Sequence, residues 1–276
     1  SDRSNSLAKL SALVEGSRLI DAPAGDITLE EVLPLATDYE FLVLYTSTPS
    51  FPNDVKIAEA FKQENPELII GFCGPHVAVN PDHTVLASDV IDFVAGNEFD
   101  FTIQEIAKGR PLEEVDGIIY KKDGKPVHNK DRALIEDMDS LPWVIKVYKE
   151  NLDTKNYYNG YMLHPYMSFY TGRGCKSRCT FCLWPQTSSG QNNRTRSVDN
   201  IIGELTYARD NFPEVKEFFF DDDTLTDNIE HVETLAKVIG KLGITWSCNA
   251  KANVPYETLM IMKDNGLRLL LVGYES

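Results

Sequence analysis

The first 110 residues alternate between short apolar runs and amphipathic stretches. Four apolar runs predict buried strands, and two stretches between them predict helices. The predicted strands are 17–23, 40–47, 67–74 and 92–98, and the predicted helices are 28–38 and 53–66. Strands that alternate with helices favour a parallel sheet covered on both faces. We therefore predict an α/β, doubly wound, flavodoxin-like domain over residues 1–110, with any ligand at the carboxyl ends of its strands.

Residues 111–165 follow a different pattern. The sequence "GIIYKKDGKPVHN" (117–129) predicts a β-hairpin that turns at Asp123-Gly124. Residues 136–143 and 151–166 lack a period and are rich in Pro, Asn and Tyr. We interpret 111–165 as a hairpin and connector between two domains.

Alternation resumes in the third segment, residues 166–276. The predicted strands are 167–173, 216–223, 244–252 and 267–276, and the predicted helices are 197–211, 227–243 and 255–266. A parallel strand with an apolar run needs cover on both faces, but no helix follows the last strand. We therefore expect four strands of a larger βα domain that is cut at its C-terminal end.

Composition narrows the class of protein. Hydrophobic residues make up 42% and charged residues 25%, which is typical of a packed globular chain. The 27 basic and 42 acidic residues give a net charge of −15, which argues against a nucleic-acid partner. No secretory signal or membrane-spanning run is evident. Five cysteines, an odd number, favour a reducing compartment, so we expect a cytoplasmic protein.

Three of those cysteines, Cys175, Cys179 and Cys182, lie in a loop directly after a predicted strand. Structural zinc usually needs four ligands, and Cys248 or His164 would have to supply the fourth. Unliganded thiols are a further alternative. An iron–sulfur cluster fits better, because three thiolates on a [4Fe–4S] cube leave one iron open to another ligand. Cationic side chains in this loop would offset the negative charge of such a cluster; they are Arg173, Lys176 and Arg178.

The pattern Cys175-x3-Cys179-x-Phe181-Cys182 resembles the cluster-binding loop of the radical S-adenosylmethionine (SAM) superfamily. The resemblance implies a [4Fe–4S] cluster whose open iron binds SAM. It further implies cleavage of SAM to a 5′-deoxyadenosyl radical, and a partial (β/α)6 barrel over residues 166–276. A fully ligated, non-catalytic iron–sulfur protein is the alternative from a different class.

Further residues are placed on that family pattern. Phe181 would lie against adenine, or would simply pack. The stretch Asp221-Asp222-Asp223 stands where the family has Gly-Gly-Glu, so Asp222 and Asp223 are candidates for the SAM ammonium. Candidates at the ends of the next two strands are Asn249, Lys251 and Glu275 for the SAM ribose, the SAM carboxylate or the substrate. Cys248 is expected to be a buried apolar residue.

A flavodoxin-like domain before such a barrel is the layout of the class of radical SAM enzymes with a cobalamin (B12)-binding domain. The stretch "GFCGPHVAVNPDHT" (71–84) resembles the loop beneath the corrin in that class, which makes His76 a candidate cobalamin ligand. The usual first strand and the Asp-x-His-x-x-Gly motif are absent. The chain is therefore expected to be trimmed at its N-terminus as well, and corrin binding stays an open alternative.

Four stretches resemble one subgroup, the radical SAM proteins of bacterial hopanoid biosynthesis that form the cyclitol ether head group. They are "GRGCKSRCTFCLWPQT", "RTRS", "FFFDDDTLTDN" and "WSCNAKANVPYETL". This resemblance implies ring contraction of a glucosamine-type hopanoid head group, with a reduced flavodoxin or ferredoxin as electron donor. A lipid substrate implies transient contact with the membrane surface, so a peripheral location at the inner membrane is expected. A cobalamin-dependent radical SAM methyltransferase is the alternative.

The connector contains three tyrosines, Tyr157, Tyr158 and Tyr161, whose expected role depends on whether the substrate is a lipid. We expect them to pack the junction between the domains, with a lipid channel as the alternative.

Overall fold

The computed structural model describes residues 2–183 and 190–274, in which two α/β layers lie side by side. The α-helices are α1 Asp2–Leu13, α2 Ala22–Gly25, α3 Leu29–Val32, α4 Phe51–Glu64, α5 Pro75–Val79, α6 Pro81–Leu86, α7 Asp100–Ala107, α8 Ile145–Asn151, α9 Val198–Asn211, α10 Ile229–Ile239 and α11 Tyr256–Asp264. The strands are β1 Phe41–Tyr45, β2 Ile69–Cys73, β3 Phe93–Ala95, β4 Ile118–Lys122, β5 Lys125–His128, β6 Tyr166–Phe169, β7 Gly172–Arg173, β8 Arg194–Thr195, β9 Glu217–Phe220, β10 Trp246–Ala250 and β11 Leu267–Val272. Short 3₁₀ turns join them at Leu33–Thr37, Leu112–Glu114, Met138–Ser140, Thr154–Asn156, Leu225–Asp227 and Gly240–Leu242.

The N-terminal sheet has the strand order β1-β2-β3-β4-β5, and its first three strands are parallel. Side chains from α4, α5 and α6 pack on one face, and side chains from α1 and α7 pack on the other. The α/β class, the parallel sheet and the helical cover on both faces are as predicted. The sequential order of the described strands differs from the flavodoxin-like order 2-1-3-4-5.

One predicted strand is wrong. Residues 17–21 are irregular and lead into the short helix α2. Asp21 caps that helix by accepting a hydrogen bond from the Ala24 amide, and Pro23 lies in its first turn, where its missing N–H costs nothing. The apolar Leu19 is buried against the C-terminal core rather than in a sheet, and its amide donates to Asn151.

The hairpin forms as predicted but belongs to the N-terminal sheet. Asp123 and Gly124 both have positive φ, +50° and +72°, as a tight two-residue hairpin turn requires. Strand β4 pairs antiparallel with β3, so the sheet extends beyond the predicted boundary at residue 110. The sequence pattern shows the hairpin but not the strand with which it pairs.

The C-terminal sheet has the order β11-β10-β9-β6, and all of its strands are parallel. Helices α8 to α11 pack against one face around Phe220, Trp246 and Cys248. The Ser197 hydroxyl caps α9 as predicted, by accepting from the Asn200 amide. Helix α10 is capped by Asn228, not by the Asp227 and Glu230 capping box that its sequence suggests.

The opposite face of this sheet is only partly covered. Met162 and Tyr157 pack on it near the amino ends of the strands, against Tyr166 and Phe219. The carboxyl ends of the same strands open into a cleft. These four strands form the predicted parallel sheet, and the partial barrel stays a prediction.

The two sheets share helix α1. Its Ala8 packs in the core of the C-terminal sheet, and its Leu10 packs in the core of the N-terminal sheet. Within the described residues, no helix is long and apolar enough to cross a bilayer.

Candidate functional site

Strand register brings the predicted residues to one edge. Phe169 pairs with Phe220, which pairs with Cys248, so the residues that follow these strands start at a common level. The cysteine loop follows β6 and β7, and Asp221 follows β9. Asn249 lies near the end of β10, beside Leu271 of β11. The carboxyl edge of a parallel sheet is the position at which ligands bind in such folds.

These residues line a cleft of about 510 Å³ between the two sheets. Among the predicted site residues, eight line it, namely Cys175, Cys179, Cys182, Phe181, Asp222, Asp223, Asn249 and Lys251. The other wall comes from the carboxyl ends of β1 to β3 and the loops after them, including Tyr45, Gly74 and Asn97. This volume is within the usual range for a site that encloses a small molecule. Glu275 lies outside the described residues.

The three loop thiols are accessible. Cys179 is exposed, and Cys175 and Cys182 are partly buried. Among the described residues, no three His, Cys, Asp or Glu side chains are close enough together to hold one metal ion, so the thiols share the cleft without converging on a point. Three thiols in one loop are a suitable donor set for an iron–sulfur cube with one open iron. Gly174, with φ +89°, provides the sharp backbone turn just before Cys175.

The alternative fourth ligands are elsewhere. Cys248 is fully buried in the core of the C-terminal sheet, and burial raises the pKa of its thiol, with a smaller contribution from Asp222. It is a buried apolar residue, as predicted. The His164 ring lies at the Tyr157 carbonyl, with Nδ1 to O at 3.2 Å, and against the Tyr158 ring.

Asp222 is a buried carboxylate of the cleft, with 4% of its surface exposed. Its Oδ1 accepts from the Thr171 amide at 2.8 Å, the Thr171 hydroxyl at 3.1 Å and the Gly172 amide at 2.5 Å. Its Oδ2 is buried without a hydrogen-bond partner. Burial raises the pKa of Asp222 to about 7, although the hydrogen bonds from Gly172 and Thr171 lower it. The unpartnered oxygen is suited to a cationic ligand such as an ammonium group.

The neighbouring carboxylates contact the cysteine loop. Asp223 Oδ2 accepts from the Gly174 amide at 2.8 Å, and Asp227 Oδ2 accepts from the Lys176 amide at 2.8 Å. Asp227 Oδ1 also accepts from the Lys251 ammonium. Lys251 is therefore already paired within the site, whereas the sequence pattern suggests a free cation for SAM. Asp227 is absent from the predicted site, because its spacing to Glu230 suggests a helix cap.

Asn249 links two of the strand ends. Its Nδ2 donates to Asp221 Oδ1 at 3.3 Å and to the Asp222 carbonyl at 3.0 Å. Its amide group therefore holds the start of the acidic segment beside β10.

Arg173 lines the cleft beside the cysteine loop, and its guanidinium is already paired with carboxylates. It contacts Asp100 at 2.7 and 3.0 Å and Glu98 at 3.2 Å, across the boundary between the two sheets. Glu98 also contacts Arg194 at 2.8 Å. Burial would lower the pKa of Arg173, but the carboxylates of Asp100 and Glu98 raise it well above its usual value. These pairs fasten the strand before the cysteine loop to the N-terminal sheet.

His76 is not among the residues that line the cleft. Its ring is buried, stacks on Phe51 with centroids 4.2 Å apart, and lies edge-on to His83. Nδ1 lies 3.1 Å from the Thr48 hydroxyl. Burial lowers the pKa of His76, and the nearby His83 lowers it further. The structure therefore does not bring this candidate cobalamin ligand together with the cysteines.

The expected packing of the tyrosines at the domain junction is wrong for two of them. Tyr158 is 75% exposed and Tyr161 is 58% exposed. Tyr157 is partly buried, and its hydroxyl donates to Asp21 at 2.9 Å.

Comparison with known families identifies the class. Residues 169–276 match the family model described as the Radical SAM superfamily, and this match begins at the strand before the cysteine loop. Residues 169–276 are therefore similar to radical SAM domains, and the predicted [4Fe–4S] cluster and SAM are what that family implies. The expectation of an enzyme is confirmed, and a non-catalytic iron–sulfur module is not supported.

Similar proteins carry related names. An uncharacterized methyltransferase of Pyrococcus horikoshii is 29% identical over 98% of this chain and 60% of its own length. The cytidylyl-2-hydroxyethylphosphonate methyltransferase of Streptomyces wedmorensis is 27% identical over 52% of this chain and 28% of its own length. The anaerobic magnesium-protoporphyrin IX monomethyl ester cyclase of Synechocystis is 25% identical over 59% of this chain and 34% of its own length. The chain thus spans about 60% or less of these relatives.

Proposed function

We propose that this protein cleaves SAM reductively in the cleft between its two sheets and directs the resulting radical at a bound substrate. The observation that carries the proposal is the three-cysteine loop at the carboxyl edge of a parallel sheet, inside a radical SAM domain. When bound, a [4Fe–4S] cluster on Cys175, Cys179 and Cys182 would supply an electron and one open iron.

The chain's own residues prepare the site for SAM. Asp222 directs an unpartnered, buried oxygen that suits the SAM ammonium. Asn249 and Lys251 lie beside it on the cleft wall, as candidate contacts for the ribose and the carboxylate. Phe181 is 65% exposed and lines the cleft, so its ring is available to cover the adenine.

For the substrate, we propose a glucosamine-type hopanoid head group, which would contract to a five-membered carbocycle. Support comes from the four resembling stretches, and from the chemistry, since a sugar C–H bond is too strong for ordinary side-chain bases. A reduced flavodoxin or ferredoxin would supply the electron. The protein would contact the membrane surface transiently to reach its lipid, with Tyr158 and Tyr161 as exposed aromatic residues suited to such contact.

Anaerobic reconstitution followed by turnover tests this proposal. We expect about four irons per chain, and formation of 5′-deoxyadenosine when dithionite and SAM are added. Incubation with a glucosaminyl hopanoid should change the mass or fragmentation of the lipid head group. A full complement of iron without any cleavage of SAM would contradict the enzymatic proposal, and cleavage without any change in the lipid would contradict the substrate.

A cobalamin-dependent methyltransferase is the second candidate. Two of the similar proteins are named methyltransferases, and the carboxyl edge of the N-terminal sheet faces the same cleft as the cysteines. This candidate predicts corrin absorbance in the protein as isolated from cobalamin-supplied cells, and transfer of a methyl group to the substrate. Head-group rearrangement without bound corrin would favour the first proposal.

A further inference from the structure

The acidic segment after β9 contacts the cysteine loop at regular intervals. Asp222 accepts the amides of Thr171 and Gly172, Asp223 accepts the amide of Gly174, and Asp227 accepts the amide of Lys176. Three carboxylates therefore hold four backbone N–H groups in the six residues that lead into and past the first cysteine. The sequence pattern suggests instead that Asp222 and Asp223 serve SAM alone.

We propose that Asp222, Asp223 and Asp227 are positioning residues that fix the backbone of the cysteine loop before cluster and SAM bind. This inference rests on the proposed cluster site, and it assigns to these carboxylates a role independent of SAM. Hydrogen bonds from amides to carboxylates are charge-assisted, so they are stronger than neutral ones and strongly directional.

The loop backbone needs such support most beyond Arg173, where the β7–β8 ladder ends. Gly172 pairs with Thr195 in the two-residue ladder of β7 and β8, and a Cβ on Gly172 would lie 2.5 Å from the Arg194 carbonyl. Beyond Gly174 the described loop has little regular secondary structure, and the Gly174 carbonyl accepts from Asn193 at 3.2 Å. The carboxylates thus replace the ladder of hydrogen bonds that a longer strand would provide.

Asp222 and Asp223 make different contacts with the loop, and the difference can be tested. Asp222 uses one oxygen for the loop and keeps the other free of hydrogen bonds, so it combines loop positioning with a contact for a cation. Asp223 contacts Gly174, next to Cys175, and Asp227 contacts Lys176, just after it. The two flanking contacts fix the backbone on both sides of Cys175, and so fix the direction in which its side chain points.

Amide hydrogen exchange on the intact, reconstituted protein in the absence of SAM tests the proposal, with a metal-free sample as a second arm. Asp223→Ala should speed exchange of the Gly174 amide about 10- to 100-fold, the effect of losing one charge-assisted hydrogen bond. Asp227→Ala should do the same at Lys176. Asp223→Asn, which keeps an acceptor oxygen, should restore most of the protection.

Glu217→Ala is the matched control. Glu217 is a buried carboxylate on the same strand, but at its other end, and it accepts the amide of Leu163 at 2.6 Å. This variant should alter exchange near Leu163 and leave residues 171–176 protected, which separates loop positioning from general loss of stability.

Unchanged exchange at Gly174 in Asp223→Ala, with or without the cluster, would overturn the proposal. Faster release of iron to a chelator from Asp223→Ala, but not from Glu217→Ala, would support it further. Neither measurement requires SAM cleavage, so failure of the proposed enzymatic function would leave this test interpretable.

Discussion

The N-terminal and C-terminal sheets present the same edge to one cleft, but their acidic side chains do different things. Glu98 and Asp100, after β3, are buried and paired with Arg173 and Arg194 of the short β7–β8 ladder that follows the first strand of the C-terminal sheet. Asp222 and Asp223, after β9, face the cysteine loop of their own sheet. In both sheets the carboxyl edge brings polar groups together. Carboxylates that pair with arginines across the junction join the two layers, whereas carboxylates that accept loop amides shape the site.

The largest expected effect is loss of the cluster when a loop cysteine is replaced, compared with replacement of a buried cysteine in the N-terminal sheet. Cys179→Ala should lose most of its cluster iron and all SAM cleavage, because a three-thiolate site cannot spare a ligand. Cys73→Ala, at a buried thiol of β2, is the control and should keep about four irons per chain. Iron analysis and quantification of 5′-deoxyadenosine check both variants. A full complement of iron in Cys179→Ala would contradict the assigned loop.

The next effect concerns the ion pairs between the sheets. Arg173→Met would leave the buried Asp100 without its bidentate partner, and we expect a loss of about 3–5 kcal/mol in the free energy of unfolding. Urea denaturation measures it. Arg209→Met, which removes an exposed pair with Asp210, is the control and should cost about 1 kcal/mol or less. Equal losses in the two variants would show that the junction does not depend on these charges.

A third prediction tests the buried carboxylate of the cleft through pH. Burial raises the pKa of Asp222 to about 7 in the folded protein, and the usual unfolded value is about 3.9. Folding therefore takes up a proton between these values, so this contribution to stability is full at low pH and is lost as the pH rises toward 7.

The measurement compares wild type with Asp222→Asn, which does not titrate. The stability of wild type relative to the variant should fall by about 2 kcal/mol between about pH 5 and pH 8. Glu217→Gln provides a non-cleft reference for the same pH range. A difference that stays constant between about pH 5 and pH 8 would show that Asp222 is ionised in the folded protein throughout that range.

The smallest effect concerns His76 on the N-terminal side. His76→Gln removes a contact with Thr48 away from the cleft lining, so we expect a stability loss of about 1 kcal/mol and no change in iron content. Thr48→Val removes the same contact from the other side and should match it. If the protein binds corrin and His76→Gln alters the corrin absorbance, His76 coordinates cobalt after all.

The sequence by itself determined the local elements and the chemistry of the cysteine loop. Period and punctuation predict the strands, the Asp123-Gly124 turn and the Ser197 cap, because each depends on neighbours within a few residues. The spacing of Cys175, Cys179 and Cys182 likewise specifies the donor set, since it lies within one loop.

Only the tertiary structure decided which distant groups meet. It turned 17–23 from a predicted strand into an irregular segment that leads into α2, joined the hairpin to β3 and paired Arg173 with Asp100. It also brought the Asp227 carboxylate to the amide of Lys176 in the cysteine loop, and left His76 outside the cleft lining. Such partners lie tens of residues apart, and their pairing depends on sheet register and on burial, which no local pattern contains.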